Sequence, residues 1–361
     1  MRIFIAAGGS GGHIFPALEA ARELKKNHHE VIFFTTPGLG FKKIEEAGFP
    51  VFVVSAKGVP FNSIEKFFVS VFFMMKALRE SFFFLRHFRP DVVVGFGGYG
   101  AFPLVLTARI LRCPALIHEQ NVIPGRANLL LSKFVNKVAV SFEKSRRYFR
   151  PQKILLTGCP CRASLGQRLP KEEIAKKFQL SAKIPTILVF GGSQGSRRIN
   201  EEFLKAARLL KEKIAFQTIH VTGESDYSFV KKEYDALKVL SYVSSFLDDM
   251  SEAYGAADVV ISRAGAVTVS ELVIFAIPCI LIPYPFAGGH QKENAQVLFK
   301  AGLAKIVEDK DLSADRLQKE IEILLIDKHD KEKLKQNMRY LCFPDAARNL
   351  AYEITLLKNE K

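Results

Sequence analysis

His13 stands directly after Gly8-Gly9-Ser10-Gly11-Gly12, where an apolar run (residues 3–7) gives way to an amphipathic stretch. A strand, a glycine turn and a helix in that order aim unpaired backbone N–H groups and the positive helix end at one point. That point suits a phosphate or a developing negative charge. The helix end favours neutral imidazole, which can take a proton from a sugar hydroxyl. A histidine that only caps or fills the turn is the plainer reading. The signature returns as Gly191-Gly192-Ser193-Gln194-Gly195, again after an apolar run. The spacing is about one α/β domain, so the chain is expected to carry two such domains facing across a cleft, one site on each wall.

Further polar clusters follow other strand-like runs. Gly97-Gly98-Tyr99 and His118-Glu119-Gln120-Asn121 should join the first glycine loop at the carboxyl edge of one sheet, where open α/β folds bind ligands. In the second half, Ser262-Arg263-Ala264-Gly265-Ala266-Val267-Thr268-Val269-Ser270-Glu271 has small residues that let a ligand approach the backbone. Thr268 could meet a phosphate, and the Glu271 carboxylate could accept from the paired hydroxyls of a ribose. Gln291 and Asn294 offer amides for sugar hydroxyls. A nicotinamide fingerprint is disfavoured: Ile14 occupies the place of a third glycine, and Thr35-Thr36-Pro37 lacks the acidic residue that holds an NAD ribose. Asp309-Lys310-Asp311, the one Asp-x-Asp, is expected to lie away from these loops, and no metal site is expected.

The elements that must hold these groups alternate as in a helix-wrapped parallel sheet. Strands are expected at 3–7, 31–35, 51–55, 91–95, 115–118, 137–140 and 154–157. The rhythm then repeats at 186–190, 215–221, 239–242, 259–262, 279–282 and 304–306, with a helix at 345–357. The fold class is therefore α/β, two Rossmann-like doubly wound domains. Five scattered cysteines make no disulfide framework and suggest a reducing compartment. The first apolar run is too short for a signal peptide and reads as a buried strand.

Of the net charge of +15, residues 1–160 carry +12. A basic half suggests nucleic acid or an anionic membrane surface. Eight phenylalanines between Phe67 and Phe88, interleaved with Lys76, Arg79 and Arg86, favour the membrane. An apolar patch ringed by cations sits on anionic lipid without crossing it. Nucleic acid is disfavoured, since it leaves the glycine loops unexplained.

Together, residues 8–16, Gly97-Gly98-Tyr99, the His118–Asn121 cluster, Gly191–Gly195 and the Ser262–Glu271 motif resemble, in order and spacing, the MurG family of glycosyltransferase family 28. These are the peptidoglycan N-acetylglucosaminyltransferases that make lipid II. The resemblance spans essentially the whole chain. It implies a GT-B fold, with residues 1–160 and 343–361 forming a membrane-facing acceptor domain and 161–342 a UDP-GlcNAc domain. It implies inverting transfer to the 4-hydroxyl of the muramoyl sugar of lipid I, no cofactor, and a peripheral location on the cytoplasmic face of the bacterial inner membrane.

Carried over by motif, His13 would be the catalytic base, and Ser10, Gly11 and Gly12 would contact the donor sugar or diphosphate. Asn121 would contact N-acetylglucosamine; Arg162 and Ser193 would bind the UDP portion. Leu247 would hold uracil through its backbone. Gly265, Ala266, Val267, Thr268, Val269 and Ser270 would cradle the diphosphate, Glu271 the ribose and Gln291 the sugar hydroxyls. Gly97, Gly98, Tyr99, His118 and Glu119 would face the acceptor. The chain departs from the family with Ser10 for Thr, with Cys159-Pro160-Cys161 for Asn-Pro-Val, and with Ala264 for Ser. A GT-B enzyme acting on another membrane lipid such as diacylglycerol, and a UDP-GlcNAc epimerase, remain the alternatives.

Overall fold

The computed structural model describes residues 1–56, 64–162, 170–286, 288–326 and 340–360, with the side chains of 64–68 and 360 excepted. Two compact units emerge: Met1–Arg162 with Phe343–Lys361, and Ala163–Cys342. Cys161 and Arg162 thus fall with the first unit.

Among the described residues the first unit holds seven parallel strands: β1 (Arg2–Ala6), β2 (Glu30–Thr35), β3 (Val51–Val53), β4 (Val92–Gly95), β5 (Ala115–Glu119), β6 (Lys137–Val140) and β7 (Ile154–Leu156), in the order β3-β2-β1-β4-β5-β6-β7. Both faces of the sheet are covered, because alternate side chains on a strand point to opposite sides. Ile3 and Ile5 pack beneath α1 (Gly11–Lys26), together with Leu350, Ala351 and Ile354 of the C-terminal helix Ala346–Leu356. Phe4 and Ala6 face the other layer, which includes Ala77 and Leu85 of α3 (Ile64–Phe88) and Leu104 of α4 (Phe102–Ile110).

Among the described residues the second unit has six parallel strands: β8 (Thr186–Phe190), β9 (Gln217–Val221), β10 (Ser241–Ser244), β11 (Val259–Ser262), β12 (Cys279–Leu281) and β13 (Ala304–Ile306), in the order β10-β9-β8-β11-β12-β13. One sheet face packs on Ile199 and Phe203 of α7 (Arg197–Leu210) and Leu317 and Ile321 of α12 (Ala314–Ile326).

In each sheet the strand order reverses at one place, between β1 and β4 and between β8 and β11. The connections leaving those four strands diverge there and leave a crevice at the carboxyl ends. Four of the motifs follow those strands: residues 7–10, 96–100, 191–196 and 263–265.

Candidate functional site

In the first unit, the two glycine turns close around one imidazole. The Gly8 amide donates to the Gly97 carbonyl at 3.0 Å. A Cβ on Gly97, whose φ is +90°, would stand 3.2 Å from His13 Nε2. One on Gly8 would stand 3.0 Å from Nδ1. The missing side chains therefore leave the space that the ring fills, and keep open the space beside Nε2. Ser10 is the N-cap of α1, but its hydroxyl bonds His13 Nδ1 at 3.0 Å rather than a backbone N–H. Burial lowers the His13 pKa to about 4, and its place in the first turn of α1 acts in the same direction. The ring is neutral at ordinary pH. If Nδ1–H donates to Ser10 Oγ, Nε2 is the lone-pair nitrogen that a base requires.

His118 and Glu119, expected to face an acceptor, are instead buried, at 0% and 1% exposure. His118 donates from Nε2 to the Gly158 carbonyl at 3.0 Å, and its Nδ1 accepts from Gln120 Nε2 at 3.1 Å. Glu119 accepts the amide and side-chain N–H of Asn121 at 2.9 and 3.2 Å. It also accepts the Gly125 amide at 3.1 Å and Asn128 Nδ2 at 2.8 Å. Burial pushes this carboxyl up, while the four N–H donors oppose the shift. The pair therefore positions Asn121 and Asn128. Of the residues assigned to the acceptor, Tyr99 presents an exposed side chain. Arg162 lies with its guanidinium 5.1 Å from the Phe15 ring centre on α1.

In the second unit, α10 (Ala266–Phe275) begins at Gly265, directly beyond β11. Ala266, Val267 and Thr268 occupy its first turn, where backbone N–H groups have no intrahelical partner. One turn further, Tyr254 donates to Glu271 Oε2 at 2.9 Å and fixes that carboxylate. Gln291 opens α11 (His290–Lys300), and its Oε1 accepts from the amides of Ala264 and Tyr284 at 3.2 and 2.9 Å. The oxygen is thereby committed, and Nε2 is the group Gln291 can offer as donor. Ser193 is exposed on the loop after β8. Leu247 lies in the irregular segment between β10 and α9 (Ser251–Ala256). Val269 and Ser270 lie deeper in α10, and Ser270 returns its hydroxyl to the Ala266 carbonyl at 2.9 Å. They cannot offer the diphosphate an unpaired N–H.

Arg263 lies in the motif after β11, where its type alone assigns it no role. It donates to Ser196 Oγ at 3.1 Å, the Ile282 carbonyl at 3.2 Å and Asp309 Oδ1 at 2.5 Å. It thus ties the loops after β8, β11, β12 and β13 to one another. This corrects the expectation for Asp309, which lies at the loops as their counter-ion. Nothing local in the sequence pairs residues 263 and 309. Among the described residues no group of three His, Cys, Asp or Glu side chains is placed to hold a metal ion.

The Glycosyltransferase family 28 N-terminal domain matches residues 3–140 and the family 28 C-terminal domain residues 186–350. The chain belongs to glycosyltransferase family 28. Within this family it is 40% identical over 330 residues, 90% of each chain, to the UDP-N-acetylglucosamine--N-acetylmuramyl-(pentapeptide) pyrophosphoryl-undecaprenol N-acetylglucosamine transferase of Thermodesulfovibrio yellowstonii. It is 37% identical to the transferase of the same name from Halothermothrix orenii, over 97% of each chain. The crystal structure of Acinetobacter baumannii MurG aligns over 98% of this chain and 99% of that one, with a TM-score of 0.76 at 28% identity. The family 28 fold is GT-B, with two parallel-sheet α/β domains.

Buried histidines give the fold a pH response. His118 and His220 are both fully buried and held neutral by burial, with pKa values lowered to about 4 and about 3. In the unfolded chain each regains a value near 6.5. Below that value the unfolded state binds protons that the folded state does not, so stability falls with pH at up to ~1.4 kcal/mol per pH unit for each group. Glu119, raised by burial, works in the opposite direction. The urea midpoint is expected to fall between pH 6.5 and 5, above the range where most carboxylates titrate. A flat midpoint over that window would contradict the burial of these rings.

Proposed function

We propose that the chain transfers N-acetylglucosamine from UDP-GlcNAc to the 4-hydroxyl of the muramoyl sugar of lipid I, with inversion, forming lipid II. The observation that carries this reading is the grouping in the second unit. An open helix N-terminus at Gly265–Thr268, a carboxylate fixed by Tyr254 one turn on, and the committed amide of Gln291 match a diphosphate, a ribose and a sugar in turn. As the bond to the anomeric carbon breaks, charge grows on the leaving diphosphate. Preorganised N–H donors stabilise that charge more than they stabilise the bound substrate. Ser193 and Arg162 are further candidates for the UDP portion, with Leu247 for uracil and Asn121 for the acetamido sugar. His13, neutral and held by Ser10, would accept the proton of the attacking hydroxyl.

The test is UDP release from UDP-GlcNAc with a lipid I analogue, with diacylglycerol, and with no acceptor. Release and a β-1,4 disaccharide with the first alone support the reading. Release with diacylglycerol alone, or epimerised sugar without acceptor, would replace it.

The membrane-facing assignment belongs to α3. Its exposed residues include Phe72 at 67%, Met75 at 63% and Phe83 at 63%, flanked by exposed Lys76, Arg79 and Arg86. Phe84 and Phe88 turn inward against Phe34 and Phe52. The side chains of Phe67 and Phe68 lie outside the described residues. No described helix is long and apolar enough to cross a membrane. Burying a large apolar side chain contributes roughly 1.5–3 kcal/mol. Phe72→Ser with Phe83→Ser should therefore weaken co-sedimentation with phosphatidylglycerol vesicles about tenfold or more, and leave soluble-acceptor turnover intact. Wild-type vesicle binding by this double variant would remove α3 from the membrane.

A further inference from the structure

A buried polar chain runs beneath the second glycine loop, and its members come from four separate elements. Gly195, at φ +76°, passes so close to the next strand's exit that a Cβ there would stand 2.1 Å from the Thr222 carbonyl oxygen. That same oxygen accepts Asn200 Nδ2 at 3.0 Å. Asn200, on α7 and 0% exposed, also donates to Asp226 Oδ2 at 2.8 Å. Asp226 Oδ1 accepts from Arg197 at 3.0 Å. Asn200 Oδ1 lies 3.1 Å from His220 Nε2, and His220 Nδ1 lies 3.1 Å from the Tyr234 hydroxyl.

The directions of these bonds are fixed. Both partners of Asn200 Nδ2 are acceptors, so the amide oxygen must face His220. His220 Nε2 therefore carries the hydrogen, and Nδ1 accepts from Tyr234. Both ring nitrogens are used, and a buried neutral imidazole in that state moves no proton at ordinary pH. What the ring does is hold Asn200 in one orientation, and Asn200 holds the carbonyl against which the glycine loop is stacked.

We propose that His220 is a positioning residue for the donor site: through Asn200 and the Thr222 carbonyl it keeps the Gln194–Gly195 backbone, and with it Ser193, in place at the end of β8. The link to donor binding rests on the UDP-GlcNAc reading above; the link to the loop does not. A network that merely stabilises the core is the competing account, and Tyr234 separates the two. Tyr234→Phe removes a hydrogen bond on the side of the ring away from the loop and leaves Asn200 held. His220→Leu releases Asn200. His220→Gln restores an N–H donor for its oxygen.

Hydrogen exchange of the full chain without ligand reads the loop directly, and calorimetry with UDP reads its consequence. In His220→Leu, exchange in residues 191–196 and 222–226 should rise about tenfold. The Kd for UDP and the KM for UDP-GlcNAc should rise about tenfold, with kcat at saturating donor changed less than threefold. Asn200→Ala, which cuts the bond to Thr222 directly, should reproduce this pattern should His220→Leu not fold. His220→Gln should return both readouts to within about threefold of the parent. Tyr234→Phe should lower Tm while leaving loop exchange and UDP affinity unchanged. The proposal is overturned if His220→Leu and Tyr234→Phe change exchange and affinity in parallel with Tm. A parent protein that does not bind UDP would overturn the donor-site assignment, while the exchange data would still decide the loop's support.

Discussion

Replacing His13 by Ala should lower kcat by roughly 10²–10⁴-fold, the range that general-base catalysis supplies, while the Kd for UDP changes less than about twofold. The expectation follows from placement. The ring belongs to the first unit and makes its hydrogen bond to Ser10, whereas the groups assigned to UDP in the second unit do not include it. A loss confined to kcat marks an interaction made only in the transition state. Ser10→Ala should cost less, about tenfold, because it frees the ring without removing the nitrogen. Burial keeps His13 neutral down to about pH 4. Protonation of His13 should therefore contribute no acid limb to kcat until pH approaches that value. Full turnover in the Ala variant would exclude His13 as the base.

The second large effect concerns the other glycine loop. Gly195→Ala must place a methyl group on the Thr222 carbonyl oxygen and hold an L-residue at φ +76°. The left-handed conformation alone costs about 1–2 kcal/mol, and forced overlap typically about 1–3 kcal/mol more. Gly192 provides the control. Its φ is +96°, but a Cβ there meets nothing within 4 Å. Gly195→Ala is expected to lower UDP affinity about a hundredfold and to shift the urea midpoint markedly. Gly192→Ala should show the conformational cost alone. Equal effects in the two variants would mean that the contact with Thr222 is unimportant.

Much of this architecture is legible in the sequence because its signals are local. Residues 137–140, 186–190, 259–262 and 304–306 are strands with the expected bounds, and the other nine differ at an end by one or two residues. Short apolar runs between glycine turns specify a strand with little help from tertiary contacts. The same locality explains the glycine loops, each of which follows its own strand. What escaped has large separations in sequence. Asp309 meets Arg263 only because β11, β12 and β13 are neighbours in the sheet. His118 reads as a chemical group by its type, yet near the end of β5 it is fully buried and bonded to the Gly158 carbonyl. Asn200, His220 and Tyr234 carry no signature, since a buried polar chain is defined by which elements pack together and not by spacing.

The C-terminal helix has a consequence for the order in which the chain can be built. Leu350, Ala351, Ile354 and Leu357 belong to the same core as Ile3, Ile5 and Leu24. Gly158 leaves no room for a side chain against Phe343, where the chain re-enters the first unit. The residues made first on the ribosome thus wait for those made last before their apolar layer is closed. Ala163–Cys342 is contiguous, and the last buried residue of its core, Leu324, is made before Leu350. During synthesis the nascent N-terminal sheet stands with one face partly uncovered, and the second unit reaches a complete core before the first.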